Sequence, residues 1–493
     1  MVPVSQIVTT PEQFAAWAGE YRTAPVACRL TGVGRTPIEV FRACKLVSRH
    51  CFILESLEDA EATGRYTFIG YDPSLELACK DGALSLRGGV DWQIAVDSPA
   101  PTIAKVLADN AGPRVEGLPP FTGGLAGYFS FDFFAYAEPS LRLRADDEEG
   151  FRDVDLMFFD KVIAFDHLTG VVWLIATAKL DAPEQNYRRA LRTLDDMALL
   201  VCDGELAEMA PLRTAGPVEA LFDLEGFTQA VDRAKQHIFA GDVFQVVLSN
   251  RWRVAATGSL FETYQLLRRS NPSPYLFYFS SDDLELAGAS PETLVRLTGD
   301  EVVTYPLAGT RPRGATADED RRLETELLGD EKELAEHVML VDLGRNDIGK
   351  IAQIGSVEVR DYLTVQRFSH VMHLASAVTG KVRAGVTALD VIAAVLPAGT
   401  LSGAPKIRAC QIIDDIEGVK RGVYGGAIGY LSTTGDLDTC IAIRLAYAKG
   451  GKVYLRAGAG IVADSVPETE YAETINKLRA VSEALHIEQG GGS

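Results

Sequence analysis

Two pairs of acidic residues at helical spacing carry the strongest chemical signal in this sequence: Glu333 with Glu336, and Glu470 with Glu473. At a spacing of three, both carboxylates of each pair fall on one helix face. Two such helices facing each other would offer four carboxylates to one point. Four clustered carboxylates need a cation to stay ionised, and hard oxygen donors suit Mg2+. The bland alternative, a solvated helix face, describes most such pairs taken singly. Apolar Val338, Met339 and Leu340 and small Ala335 and Ala472 beside the acids favour inward-pointing carboxylates.

Glycine- and threonine-rich loops form a second group. Pro306 to Gly314 includes Ala308, Gly309 and Thr310, and Pro397 to Lys406 includes Thr400 and runs into a helix. Backbone N–H groups in such places bind carboxylates and other anions. Neither loop is a Walker A motif, since no Gly-Lys-Ser/Thr occurs. Ala457-Gly458-Ala459-Gly460 mimics a dinucleotide fingerprint, but Asp464-Ser465-Val466-Pro467 follows where that motif needs a helix. These glycines are better read as a place where backbone approaches a ligand closely. Arg444 lies in the apolar run Ile441–Leu445 and reads as a strand residue. A charge there must be paired or face a cleft, where it can fork onto a carboxylate. His370 and His373 lack the context of a metal-binding histidine pair.

These residues need elements to hold them. Helical patterns cover 11–20, 37–50, 101–111, 184–202, 226–240, 260–269, 318–343, 386–396, 406–417 and 468–486. Strand patterns cover 242–252, 275–280, 284–289, 293–297, 423–431, 437–448 and 452–457, with further short runs between 52 and 86 and a hairpin at 156–179. Strands come in consecutive sets with helices grouped between them. That predicts an α+β fold in which antiparallel sheets form a sandwich, with helices around a central cleft. The Ala-, Pro- and acid-rich stretch 203–222 suggests a division into residues 1–215 and 216–488, with 489–493 as a flexible tail or linker.

Bulk properties narrow the partners. The net charge is -20 over 493 residues, which disfavours nucleic acid and anionic membranes. Seven scattered cysteines without a CxxC pair, no basic-then-apolar leader and no membrane-length apolar run lead us to expect a cytoplasmic protein with reduced thiols.

The densest stretches, Asp330–Lys350, Pro397–Lys406, Gly425–Arg444 and Ala457–Lys477, resemble the chorismate-utilising enzyme family, and within it the anthranilate synthase large subunits (component I). The resemblance runs from about Ile53 to Lys477. It implies that Glu336 and Glu473 bind Mg2+ directly, with Glu333 and Glu470 acting through water. It implies that Arg444 and Tyr424, helped by backbone at Gly458 and Gly460, hold the pyruvyl carboxylate of chorismate. Lys477 and Thr400 match further substrate contacts, Glu292 the acid that protonates the departing C4 hydroxyl, and His373 an assistant in the later elimination. Isochorismate and salicylate synthases have a lysine base where this chain has Gln245, and aminodeoxychorismate synthases have a lysine where it has Ala308. Glutamine cannot deprotonate water, which leaves ammonia as the nucleophile. Leu54-Glu55-Ser56 and Pro274-Tyr275-Leu276 resemble the family's inhibitory tryptophan site, although the following Leu57–Glu61 is more acidic than expected. No cysteine is flanked by glycine as a glutaminase nucleophile would be, so a separate glutamine amidotransferase subunit is implied. The rival readings are a synthase that releases 2-amino-2-deoxyisochorismate, a non-catalytic tryptophan-binding protein and a nicotinamide-dependent oxidoreductase.

Overall fold

The computed structural model describes residues 4–56, 64–89, 91–138, 140–367 and 371–487. His370, Leu57–Glu61 and the tail 489–493 lie outside the described residues.

Among the described residues two large sheets dominate, one of 13 and one of 12 strands, and every ladder between their strands is antiparallel. Side-chain alternation explains why they stack. In the strand Cys51–Glu55, Phe52 faces the second sheet and Ile53 faces the helices. In its partner Tyr275–Ser280, Phe277 and Phe279 face inward while Leu276 and Tyr278 face out. This period of two buries both faces of the first sheet. Between the sheets Phe52 meets Phe159 edge-on at 4.8 Å. On the outer face the helices Pro37–Val47, Pro183–Asp203, Phe261–Ser270 and Pro467–Ala484 supply Phe41, Leu194, Leu267 and Leu478. The expected α+β sandwich is what the chain forms.

Four local readings change. The stretch expected to mark a domain boundary holds the strand Arg213–Ala220, paired with the long strand Gln245–Thr257. Its side chains are mostly exposed, so it has an edge strand's backbone pairing without a strand's apolar pattern. Both sheets also run across residue 215: Cys51–Glu55 pairs with Tyr275–Ser280 in one, and Gly124–Phe129 with Ala427–Ser432 in the other. The charged stretch 318–343 is two helices, Ala317–Leu328 and Glu331–Gly349, because Asp330 caps the second by accepting from the N–H groups of Lys332 and Glu333.

The run 437–448 divides into the strands Leu437–Ile441 and Leu445–Lys449, which belong to different sheets. Arg444 therefore sits at the crossover between the sheets and not within a strand, with φ at +52°. Finally, the strand Lys452–Ile461 continues through Gly458 and Gly460, which removes the dinucleotide-loop reading structurally as well. Among the described residues, no helix is long and apolar enough to cross a membrane.

Candidate active site

The site forms where the crossover at Arg444, the strand Lys452–Ile461 and two acidic helices meet. The helix Glu331–Gly349 packs on the strands Leu307–Pro312 and Val371–Lys381. Buried His337, Leu340, Val341 and Ile348 orient it, leaving Glu333 and Glu336 half-buried on the adjoining face. The helix Pro467–Ala484 packs on the strand Lys452–Ile461 and buries Glu470, leaving Glu473 and Lys477 half-buried.

The two acidic pairs share one electrostatic neighbourhood. The Glu336 carboxyl lies above the usual carboxylate range, first through burial and then through the charges of Glu333 and Glu473. Glu470 is raised by burial and by Glu473, against a hydrogen bond from Ser465. Lys477 pairs with Glu473 at 2.6 Å and donates to the Gly458 carbonyl at 2.9 Å. Among the described residues no three metal-ligating side chains converge tightly enough to enclose an ion. The donor set nevertheless suits a hard divalent cation: carboxylates on two helices whose charges reach one another, at a cost that a cation would relieve.

Glu292 follows the strand Leu284–Ser290 and lies in the same field. Burial chiefly raises its carboxyl above the usual range, and the charge of Glu336 adds to this. A hydrogen bond from Thr400 Oγ1 to its Oε2, at 3.1 Å, and the charges of Lys477 and Arg444 act the other way. A carboxyl raised in this way keeps its proton to higher pH than an exposed one, which suits it to deliver that proton. A cavity of about 50 Å³ adjoins it, lined by Thr400, Leu343, Gly344, Asp347 and Tyr305 among others.

Arg444 makes no side-chain hydrogen bond or ion pair among the described residues, although burial lowers its proton affinity. A left-handed conformation at a non-glycine residue costs energy of order 1–3 kcal/mol. An unpaired, half-buried guanidinium held there suits an anionic ligand. Tyr424 is buried, and burial pushes its phenol up to about 12, which keeps it a neutral donor. Tyr424 lies against Gly458: a β-carbon on Gly458 would sit 3.1 Å from its hydroxyl and 2.8 Å from the Leu248 carbonyl. At Gly460 a β-carbon would stand 2.5 Å from Gln245 Nε2, so glycine is what lets the buried Gln245 side chain occupy its place.

His373 and the Ala308–Thr310 loop complete the rim. A bulge at Gly309, where φ is +62°, separates Ala308 from Thr310 in the ladder and brings this backbone beside Glu333. The Gly309 carbonyl accepts a hydrogen bond from His373 Nδ1 at 2.8 Å. Because a carbonyl only accepts, Nδ1 carries a proton and the neutral ring has its lone pair on Nε2. Burial first, and then Arg444, lower the His373 pKa and keep the ring neutral.

The proposed inhibitory residues also come together. Leu54 and Glu55 pair with Phe277 and Leu276 across adjacent strands, which sets Ser56 near Pro274 and Tyr275. Glu55 is buried and accepts from Tyr264, Arg268 and Thr67. Among the described residues the buried Ser56 hydroxyl has no hydrogen-bond partner.

Sequence reasoning missed the buried pairs behind these groups. Lys406 donates to Asp347 at 2.7 Å and to the Val395 carbonyl at 2.8 Å, tying the Thr400 loop to the Glu336 helix. Arg421 and Glu417 form a second pair beneath the same loop. No local signal marked them: Glu417 sits in the charged run Asp414-Asp415-Ile416-Glu417, and Lys406 lies two residues before Arg408.

Comparison with known proteins agrees with this architecture. The family described as chorismate binding enzyme matches residues 49–483. Anthranilate synthase component 1 of Acetivibrio thermocellus is 42% identical over 98% of this chain and 99% of its own length. That of Acinetobacter calcoaceticus is 43% identical over 96% and 97%. The crystal structure of anthranilate synthase component I from Streptococcus pneumoniae superposes with a TM-score of 0.73 at 37% identity, covering 87% of this chain and 93% of that one. The menaquinone-specific isochorismate synthase of Escherichia coli, at 19% identity and a TM-score of 0.70, shares the fold. With the family matching nearly the whole chain and these relatives about 40% identical over almost their full length, the chain belongs to the chorismate-binding enzyme family.

Proposed function

We propose that this enzyme is an anthranilate synthase component I, which converts chorismate and ammonia to anthranilate, pyruvate and water. The observation that carries the reading is the pairing of a buried acid, Glu292, with a glutamine, Gln245, where a water-activating enzyme would need a base. The unpaired Arg444, the neutral Tyr424 and the backbone of Gly458 and Gly460 suit the pyruvyl carboxylate. Glu336 and Glu473 would hold Mg2+, supported by Glu333 and Glu470, and the bound cation would neutralise the ring carboxylate.

The residues then divide the work. Ammonia attacks C2, electron pairs shift through the ring, and the C4–O bond breaks as Glu292 gives its proton to the leaving hydroxyl, which departs as water. The Thr400 hydrogen bond aims that carboxyl. A proton then leaves C2, the C3–O bond breaks, and pyruvate departs as its enol while the ring becomes aromatic. His373, neutral and with Nε2 as its lone-pair nitrogen, assists this elimination. Gln245 provides amide contacts and no base, and Ala308 offers no amine for covalent attack on the ring. These two positions favour direct amination at C2.

The name component 1 borne by the relatives supports a separate glutamine amidotransferase subunit as the ammonia source. The cluster around Glu55 supports feedback inhibition by tryptophan, with a Ser56 hydroxyl that has no hydrogen-bond partner among the described residues. The unpaired cysteines support a cytoplasmic setting. Fluorescence detection of anthranilate from purified protein, chorismate, Mg2+ and ammonium tests the assignment. Chorismate loss without anthranilate would point to release of the aminated intermediate instead.

A further inference from the structure

Beneath the substrate pocket lies a buried ion pair to which no step above gives a part. Arg421 is 1% exposed, and the side chain of Glu417 is fully buried. The helix Lys406–Glu417 ends at Gly418 in the left-handed region, with φ at +66°, and the chain then doubles back so that Arg421 lies over Glu417. The guanidinium forks onto the carboxylate, with Nε donating to Oε2 at 3.0 Å and Nη2 to Oε1. Its remaining donors reach backbone: Nη1 to the Leu401 carbonyl at 2.6 Å and Nη2 to the Val247 carbonyl at 2.7 Å. Glu417 in turn accepts from the Ser249 N–H at 2.7 Å and from the Ser249 hydroxyl at 3.0 Å. The Arg421 guanidinium also stands 4.6 Å from the Phe131 ring and 5.9 Å from the Tyr424 ring.

The gripped atoms belong to the site's frame. Leu401 follows Thr400, which aims Glu292. Val247 and Ser249 lie opposite Gly460 and Gly458 across the ladder, and Gln245 begins the same strand. One planar fork thus joins the Thr400 loop, the Gln245 strand and the Tyr424 ring. We infer that Arg421 and Glu417 are positioning residues for chorismate, locking Thr400, Tyr424 and the Gly458 backbone into register with one another. Stability alone is a weak reason for such a pair, because apolar residues of similar volume commonly replace a buried ion pair at no net cost. Fixing three segments relative to one another needs the directed hydrogen bonds, and a misplacement of about 1 Å in a site can cost about 100-fold in rate.

The inference rests on the chorismate reading of the site, and the test separates the two. The Arg421→Met/Glu417→Leu double variant removes the pair without leaving a lone buried charge. Melting temperature, kcat and KM for chorismate are compared with the original protein, alongside Arg421→Lys. The expected result is a melting temperature within a few degrees, KM raised about tenfold or more and kcat lowered about tenfold or more, with Arg421→Lys in between. Unchanged kcat and KM in a folded double variant would overturn the inference. If the double variant does not fold, Arg421→Lys decides: original kinetics overturn the inference, and a raised KM with an unshifted melting temperature supports it. Should the original protein make no anthranilate, the assigned reaction has failed, and calorimetric chorismate binding then reads the pair. A tenfold loss of affinity in the variants supports positioning, and equal affinity overturns it.

Discussion

Thr400 donates to one carboxyl oxygen of Glu292 at 3.1 Å, and burial raises that carboxyl above the usual range. The hydrogen bond favours the ionised form, so it restrains the very shift that burial imposes. The pair therefore sets both the direction in which the acid points and the pH at which it still carries a proton.

Replacing Glu292 with Gln keeps the shape and removes the proton. We expect kcat to fall by about 100-fold to 10,000-fold, the range for a lost general acid, with chorismate affinity nearly unchanged. Stopped-flow rates and calorimetry separate the two quantities. Thr400→Val should move the Glu292 pKa further up, shifting the alkaline limb of kcat to higher pH once rates are corrected for the fraction of free ammonia.

Glu336 links protonation to stability. Its carboxyl is raised by burial, Glu333 and Glu473, so the folded protein binds the proton more tightly than the unfolded chain does. Without metal, stability should therefore fall as pH rises from the ordinary carboxylate range through the raised value, and then level off. Mg2+ added at neutral pH should raise the melting temperature. In Glu336→Gln the metal-free protein should melt higher at neutral pH and respond less to Mg2+. Thermal scans at several pH values, with and without Mg2+, check both.

Arg444 occupies a strained crossover and has no side-chain partner among the described residues. Truncation to Ala should leave stability unchanged or slightly improved, while kcat/KM falls by at least about 100-fold, from the loss of a charge-assisted contact of roughly 3 kcal/mol. Arg444→Gly should be more stable still, because glycine adopts a positive φ without strain. A large stability loss in Arg444→Ala would show the guanidinium to be structural.

Gly460→Ala places a β-carbon 2.5 Å from Gln245 Nε2. Overpacking of this kind costs about 1–3 kcal/mol. The loss should largely disappear in the Gly460→Ala/Gln245→Ala double variant, and chemical denaturation of the single and double variants measures the coupling.

Much of this was legible in the sequence. Strand patterns in consecutive sets, with helices grouped between them, gave the sandwich, because neighbouring strands joined by short turns pair antiparallel. The i, i+3 spacing put Glu333 with Glu336 and Glu470 with Glu473 on helices, and the charge of Glu473 reaches Glu336. The crossover at Arg444 was not legible: an apolar run that changes sheets has the same local pattern as one that stays in a single sheet, and only the φ of +52° marks the break. The strand Arg213–Ala220 was hidden for the opposite reason, since an exposed edge is held by backbone pairing and needs no apolar residues. The Lys406–Asp347 pair was missed because its two residues are 59 apart and only the fold joins them; Glu417 and Arg421 are close in sequence, but their backbone partners at Leu401, Val247 and Ser249 are not.

The most direct test of the central claim is anthranilate fluorescence from the purified chain with chorismate, Mg2+ and ammonium, beside Glu473→Gln. The account predicts a signal that requires Mg2+ and is lost in the variant. A signal independent of Mg2+ and unchanged in Glu473→Gln would contradict the metal site, and no chorismate consumption by the original chain would contradict the assigned reaction.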